Sequence, residues 1–337
     1  MSRRIWIGLG FLGLLSLGAA AALIGIGIRS LDQPLHLTAT MRFKVPPGVS
    51  FAHVAHDLAS QGVVDEPRAW ELYARWKRLA PLVKAGEYEI QPGITPRELL
   101  AKMVSGQVLL HSFTIVDGWR VADMLDALRR DPDILSTLPR SDGDLMAKLG
   151  APDVAAEGQF LPETYKFVAG TSDIEVLRQA HAALTRELAA AWMNREQEIP
   201  LHTPYELLIM ASIVEKESGL PQELGKIAGL YLHRLAIGMR LQADPTVIYG
   251  MGERYEGDIR TVDLRTDGPY NSYTRTGLPP TPISLAGAAA IRATARPEKT
   301  DALYFVASPK GDGSHVFSAT LEQHNLAVAA YLARKRR

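Results

Sequence analysis

The sequence predicts an α+β protein: one N-terminal transmembrane helix, a small strand-and-helix module, then a larger helix-rich domain with a peripheral sheet. Three observations carry this reading. Ile5 to Ile28 contains no charged residue and is about long enough to cross a ~30 Å hydrocarbon core. Short runs of alternating polarity between 41 and 110 each lead through a glycine corner into a helical pattern. Beyond about 111 the apolar residues recur at helical spacing over longer stretches. The expected boundaries are 1–29 for a cytoplasmic tip and transmembrane helix, 30–40 for a stalk, 41–110 for the module and 111–337 for the larger domain.

Arg3 and Arg4 precede the apolar run, so the positive-inside rule places the N-terminus in the cytoplasm and the rest outside it. A cleaved signal peptide competes, with small residues at Ala19–Ala22, but the apolar run continues through Ile28. Residues 30–40 lack a pattern. Met41–Val45 alternates as a half-buried strand does. Three strand–turn–helix units then recur: Val45-Pro-Pro-Gly48 before Val49–Leu58, Ile90-Gln-Pro-Gly93 before Ile94–Met103, and Ile115-Val-Asp-Gly118 before Trp119–Leu128. Each glycine suits a positive-φ corner, and Thr95, Pro96 and Glu98 spell a capping box.

Composition narrows the function classes. The formal net charge is zero, which argues against a nucleic-acid partner. Cysteine is absent, excluding disulfides, thiolate catalysis and cysteine-based metal sites. The nine histidines show no ligand spacing, so neither a metal nor any other cofactor is expected.

In the larger domain Asp173–Arg195 is helical in period and Asn194–Pro200 closes it. Residues 204–218 form the next helix, with Thr203 as N-cap, Pro204 at the first position and Glu206 completing a capping box. From Leu207 to Val214 only Ser212 is polar, so this helix is predicted to be buried on most of its circumference. Glu215 stands above Ala211 and Ser212 on an apolar face. Burial raises a carboxyl pKa, which is how a Glu becomes a general acid near neutral pH. The competing account is a helix end whose carboxylates have reached water. Glu217 lies about 200° round the helix from Glu215, so the two do not serve one site, and a structural role is expected for it. A further helix runs from Pro221 to Ile237 with Gly238 as left-handed cap. The stretch 238–285 is long, irregular and rich in Gly, Pro, Tyr and Thr, as functional loops are. Leu303–Ala307 and His315–Ser318 predict a hairpin, and Thr320 caps a final helix.

These residues carry a resemblance. Ser212-Ile-Val-Glu-Lys-Glu217, the run from Gly238 to Gly250, Tyr270-Asn-Ser-Tyr-Thr274, Gly277-Leu-Pro-Pro-Thr-Pro-Ile283, Glu157-Gly-Gln-Phe-Leu-Pro-Glu-Thr-Tyr165 and the Tyr304–Phe317 hairpin together resemble the YceG/MltG-type endolytic murein transglycosylases. The likeness spans nearly the whole chain. It departs at Ser284-Leu-Ala-Gly287, where Ala-Asn-Pro-Gly is closer to expectation.

The resemblance implies a LysM-like peptidoglycan-binding module at 41–110. It also implies cleavage of the β-1,4 bond between N-acetylmuramic acid and N-acetylglucosamine within glycan strands. The muramic acid C6 hydroxyl closes onto C1 to leave a 1,6-anhydro end, and one Glu serves as acid and then base. That residue maps to Glu215. Candidate substrate-binding residues are Glu163, Gln242, Asp244, Tyr249, Asn271 and Tyr273. Against these roles stand an N-cap for Asp244, a structural turn for Asn271 and Tyr273, and a helix start at Pro162–Tyr165 for Glu163. The implied partners are peptidoglycan strands, the bacterial inner membrane through the single-pass anchor, and glycan-polymerising synthases, with the catalytic domain periplasmic. Two other classes remain open. One is a non-catalytic peptidoglycan-binding membrane protein; the other is a hydrolytic muramidase, which needs a second carboxylate, Asp244 or Glu163.

Overall fold

The computed structural model describes residues 27, 29–139 and 144–335. Among them no helix is long and apolar enough to cross a membrane. The expected span at 5–28 lies outside the described residues save for Gly27. The chain is mixed α+β and helix-rich, and it divides into a first unit ending at His111 and a second beginning at Ser112.

In the first unit, β1 (Met41–Val45) turns at Pro46–Ser50 into α1 (Phe51–Ser60), followed by α2 (Pro67–Trp76), β2 (Gly86–Ile90) and α3 (Pro96–Ser105). β1 and β2 pair antiparallel, from Met41 opposite Ile90 to Val45 opposite Gly86. The predicted alternation holds: Phe43 and Val45 are buried, Arg42 and Lys44 exposed. Gly48 and Gly93 adopt the positive φ their corners require, and Thr95 and Glu98 form the reciprocal capping box. The core gathers Phe51, Leu58, Trp70, Tyr88, Leu99, Leu100 and Met103, with Phe51 edge-on to Trp70 at 4.9 Å.

The second unit takes over within β3 (Leu110–Thr114) and continues through α4 (Val121–Arg130), β4 (Ile134–Leu135), α5 (Leu145–Lys148), β5 (Thr164–Val168), β6 (Thr171–Ser172) and α6 (Asp173–Met193). Then come α7 (Pro204–Glu217), α8 (Leu224–Ala236), α9 (Asp244–Met251), α10 (Thr261–Arg265) and α11 (Ala288–Ala295). The hairpin of β7 (Tyr304–Ala307) and β8 (His315–Ser318) leads into α12 (Leu321–Lys335). Helices α6, α7, α8 and α11 pack together, and α7 is the central one, buried from Leu207 to Val214 as its sequence predicts.

Several expectations are corrected. Among the described residues there is no single peripheral sheet: the strands form separate two-stranded pairs. The capping box at α7 is half formed, because Thr203 accepts from Glu206 N–H while the Glu206 carboxylate turns back to His202 N–H. Pro162–Tyr165 starts a strand, not a helix, since Tyr165 and Phe167 alternate into the core. The helix expected at Pro221–Ile237 opens as a 3-10 turn over Pro221–Glu223 before α8 begins. The stretch 238–285 contains two short helices, α9 and α10.

Candidate active site

Because positions 215 and 217 lie about 200° apart round the helix, the last turn of α7 projects two carboxylates in nearly opposite directions, and each meets a different wall. On one side, Ser212 and Glu215 face the segment 283–287. Ser212 Oγ accepts from Ile283 N–H at 3.0 Å, and Ser284 Oγ donates to the Ser212 carbonyl at 3.1 Å. Glu215 Oε2 accepts the Gly287 N–H at 3.0 Å. Gly287, the N-cap of α11, is pressed so closely that a Cβ there would lie 2.3 Å from Asp117 Oδ1 and 3.3 Å from Glu215 Oε2. Partial burial, with Asp117 as a like-charged neighbour, raises the Glu215 pKa, in line with its apolar position in the sequence; burial raises that of Asp117. Lys216 donates to the Gly118 carbonyl at 3.1 Å, completing a clasp that holds the glycine corner and the 283–287 segment to α7.

On the other side, Glu217 enters a cavity of about 370 Å³. Tyr231, Arg234, Gln242, Asp244, Tyr273, Tyr304, Phe305, Leu321 and His324 complete its lining. Tyr231 and Arg234 stand one turn apart on α8. The Tyr231 hydroxyl donates to Glu217 Oε1 at 2.5 Å. Burial pushes the Glu217 carboxyl up to about 7; the Tyr231 bond opposes this, Asp244 adds to it, and the Arg234 charge opposes it. Arg234 donates through Nε to the Leu303 carbonyl at 2.6 Å and through Nη1 to the Leu241 carbonyl, clamping β7 and the approach to α9.

The approach to α9 is shaped by a strained residue. Gln242 has φ 51°, a left-handed conformation a non-glycine residue adopts only when its surroundings impose it. Its N–H donates to the Ser272 carbonyl at 3.1 Å, while Ser272 Oγ accepts from Ala243 N–H at 2.9 Å. Asp244 is not an N-cap: Ala243 holds that position, and the Asp244 carboxylate accepts from the Tyr273 hydroxyl at 2.5 Å.

Three of the six predicted substrate-binding residues, Gln242, Asp244 and Tyr273, are therefore brought together, around Glu217 and not around Glu215. The other three are placed elsewhere. Glu163 is exposed immediately before β5 and lines no part of the cavity. Asn271 is buried, its Nδ2 donating to the carbonyls of Asp263, Leu264 and Thr266 and its Oδ1 accepting from Tyr273 N–H, so its bonding capacity is spent on the turn. Tyr249 packs edge-on against Tyr270 at 4.8 Å and bonds Glu157. Glu157 is a second half-buried carboxyl raised to about 7, and it accepts from Val121 N–H at 3.2 Å. Sequence reasoning missed Tyr231, Arg234, Phe305 and His324 as cavity residues. The i, i+3 spacing of Tyr231 and Arg234 on α8 was the available signal. Among the described residues no group of three or more His, Asp or Glu could hold a metal.

The model of the YceG-like family matches residues 43–330. A protein of Bacillus subtilis (strain 168) named endolytic murein transglycosylase is 28% identical, over 91% of this chain and 89% of its own length. A protein of the same name from Streptococcus pneumoniae serotype 2 (strain D39) is 26% identical over 86% of this chain, which spans 58% of that longer protein. A crystal structure of a yceG-like protein from Listeria monocytogenes superposes with a TM-score of 0.51 at 27% identity, covering 85% of this chain and 98% of that one.

Proposed function

The chain belongs to the YceG-like family, and on that premise we propose that it is an endolytic peptidoglycan lytic transglycosylase whose acid/base is Glu217. The observation that carries the residue assignment is the placement of the half-buried Glu217 carboxyl, raised to about 7, in one cavity with Gln242, Asp244 and Tyr273. Glu215, the residue the motif alone selected, spends one oxygen on Gly287 and faces a structural segment.

The chemistry needs one group that first gives and then takes a proton. Protonated Glu217 donates to the glycosidic oxygen as the bond from C1 of N-acetylmuramic acid breaks. The resulting carboxylate accepts the proton of the C6 hydroxyl as O6 bonds to C1. The 1,6-anhydro end leaves, and Glu217 is again protonated. A carboxyl raised to about 7 is suited to both steps, because neither protonation state is strongly favoured near neutral pH. Tyr231 holds the carboxyl in one orientation, and Tyr273 fixes Asp244 beside the bound sugar.

The same reading extends to the chain's setting. Residues 5–28 anchor it in the inner membrane with the catalytic unit in the periplasm, and residues 41–110 form a LysM-like module that holds peptidoglycan. Tethering confines the site to glycan near the membrane, where nascent strands and their synthases are. Hydrolysis is the alternative with an observation behind it, since Asp244 supplies a second carboxylate in the cavity. Mass spectrometry of peptidoglycan digested with the full-length chain, beside Glu217→Gln and Glu215→Gln, decides among these. Anhydromuramyl ends from wild type and Glu215→Gln, and at most a trace from Glu217→Gln, are expected. Reducing ends would establish a hydrolase, and loss of products only in Glu215→Gln would return the acid to that residue.

A further inference from the structure

We propose that His324 binds substrate, donating a hydrogen bond from Nε2 to the acetamido carbonyl of an N-acetylated sugar lying beside Glu217. The inference deepens the transglycosylase reading and rests on it.

His324 sits in the first turn of α12 and lines the same cavity as Glu217. Its ring stacks on Tyr304, centroids 5.4 Å apart and planes 27° from parallel, so its orientation is fixed by the β7–β8 hairpin. Its Nδ1 is sealed from solvent and has no hydrogen-bond partner. An N–H buried without an acceptor is costly, and orphaned buried donors are rarer than under-satisfied acceptors. The sealed nitrogen therefore carries the lone pair and Nε2 carries the proton. Adding a second proton would create that orphan donor near a cation. Burial and Arg234 both lower the His324 pKa, so the ring stays neutral. The titratable and charged groups around it are Tyr304 on β7 and Arg234 on α8, with Glu217, Asp244 and Tyr273 also lining the cavity.

A fixed single donor calls for a single acceptor. The neighbouring lining chooses which: Leu321, 55% exposed on the same helix, and Phe305 on the hairpin present apolar surface to the same cavity. A carbonyl oxygen joined to a methyl group satisfies both the donor and the apolar wall, and that is the acetamido group. A hydroxyl satisfies only the donor.

The test compares wild type with His324→Phe, which keeps the stacked ring and removes the donor, and His324→Gln, whose amide restores a donor close to the Nε2 position. On isolated glycan strands His324→Phe should raise KM about tenfold with kcat within about twofold, and His324→Gln should recover most of the loss. In Glu217→Gln, which holds sugar without cutting it, the N-acetylglucosamine tetramer should bind at least about tenfold more tightly than its deacetylated counterpart. Adding His324→Phe should erase that preference. Imidazole ¹⁵N shifts should show the Nε2–H tautomer. An unchanged KM in His324→Phe, a retained preference for acetylated sugar, or an Nδ1–H tautomer would each overturn the proposal while wild type still makes anhydro ends. A wild type that makes none overturns the transglycosylase reading itself.

Discussion

At Glu217 the opposing influences can be separated by substitution. Burial drives the carboxyl toward its neutral form, and the Tyr231 hydroxyl at 2.5 Å favours the ionised one. Glu217→Gln keeps the shape and removes the transferable proton, so kcat should fall by about 10²–10⁴. Glu215→Gln should stay within about tenfold of wild type, because the amide oxygen can still accept from Gly287 N–H. The starting state needs Glu217 protonated, so kcat/KM should decline as pH rises through about 7. Tyr231→Phe removes the one hydrogen bond that lowers this pKa, and the alkaline limb should move upward. A limb that stays in place would mean that Glu217 does not set it. Both experiments are pH–rate profiles on soluble glycan strands.

Among the elements, α8 carries Tyr231 and Arg234, and its seating depends on a residue with no side chain. A Cβ on Gly229 would lie 2.2 Å from the backbone oxygen of Glu298, which no rotamer change can relieve. Gly229→Ala should therefore push α8 off the 298–300 segment and destabilise the protein by about 1–3 kcal/mol, as overpacking does. It should also lower kcat by displacing Tyr231 from Glu217. Chemical denaturation and steady-state rates on the same preparation check this, and unchanged stability would refute the contact. Such elements differ in how far the sequence reveals them. Helix starts were legible where a local device sets them: Thr95 with Glu98, Thr203 with Pro204, and glycine at 48, 93 and 118. The face of α7 that meets the cavity was not. A helix apolar all round offers no polar stripe to orient it, so the run itself favoured Glu215 on its apolar face and gave Glu217 a structural role. What separates them is Tyr231 and Arg234 from the next helix and the hairpin at 304–318. Those partners are distant in sequence, and only the packing of α7 against α8 brings them in. Asn271 misled for a related reason, since an amide suited to sugar is equally suited to three turn carbonyls.

For the molecule as a whole, each unit has its own core, yet the groups that make stability depend on pH near neutrality are unevenly shared. Glu157 and Glu217, both in the second unit, are raised to about 7. Among the described residues of the first unit the shifted groups are Asp32 and Glu98, lowered, and Tyr88 and Arg97, raised; all four titrate outside the range from 4.5 to 7. The sign follows from proton binding. Between about 4.5 and 7 the unfolded chain has released these protons while the folded one retains them, so stability falls as pH rises through that window and levels off above it. Each group contributes about 3 kcal/mol at most, because a tenfold change in proton affinity is worth about 1.4 kcal/mol. Glu215, also raised, acts in the same direction, whereas His324, lowered, acts in the opposite one. The second unit should therefore unfold at lower denaturant at pH 8 than at pH 5, while the transition of the first unit stays in place. Glu217→Gln should flatten the dependence in part, and at pH 8 it should be more stable than wild type, trading stability against the proton that the reaction needs. Denaturant titrations at the two pH values, followed by a probe in each unit, would measure this. Parallel pH dependence in wild type and Glu217→Gln would show that the carboxyl is ionised at neutral pH, and so could not begin the reaction as its acid.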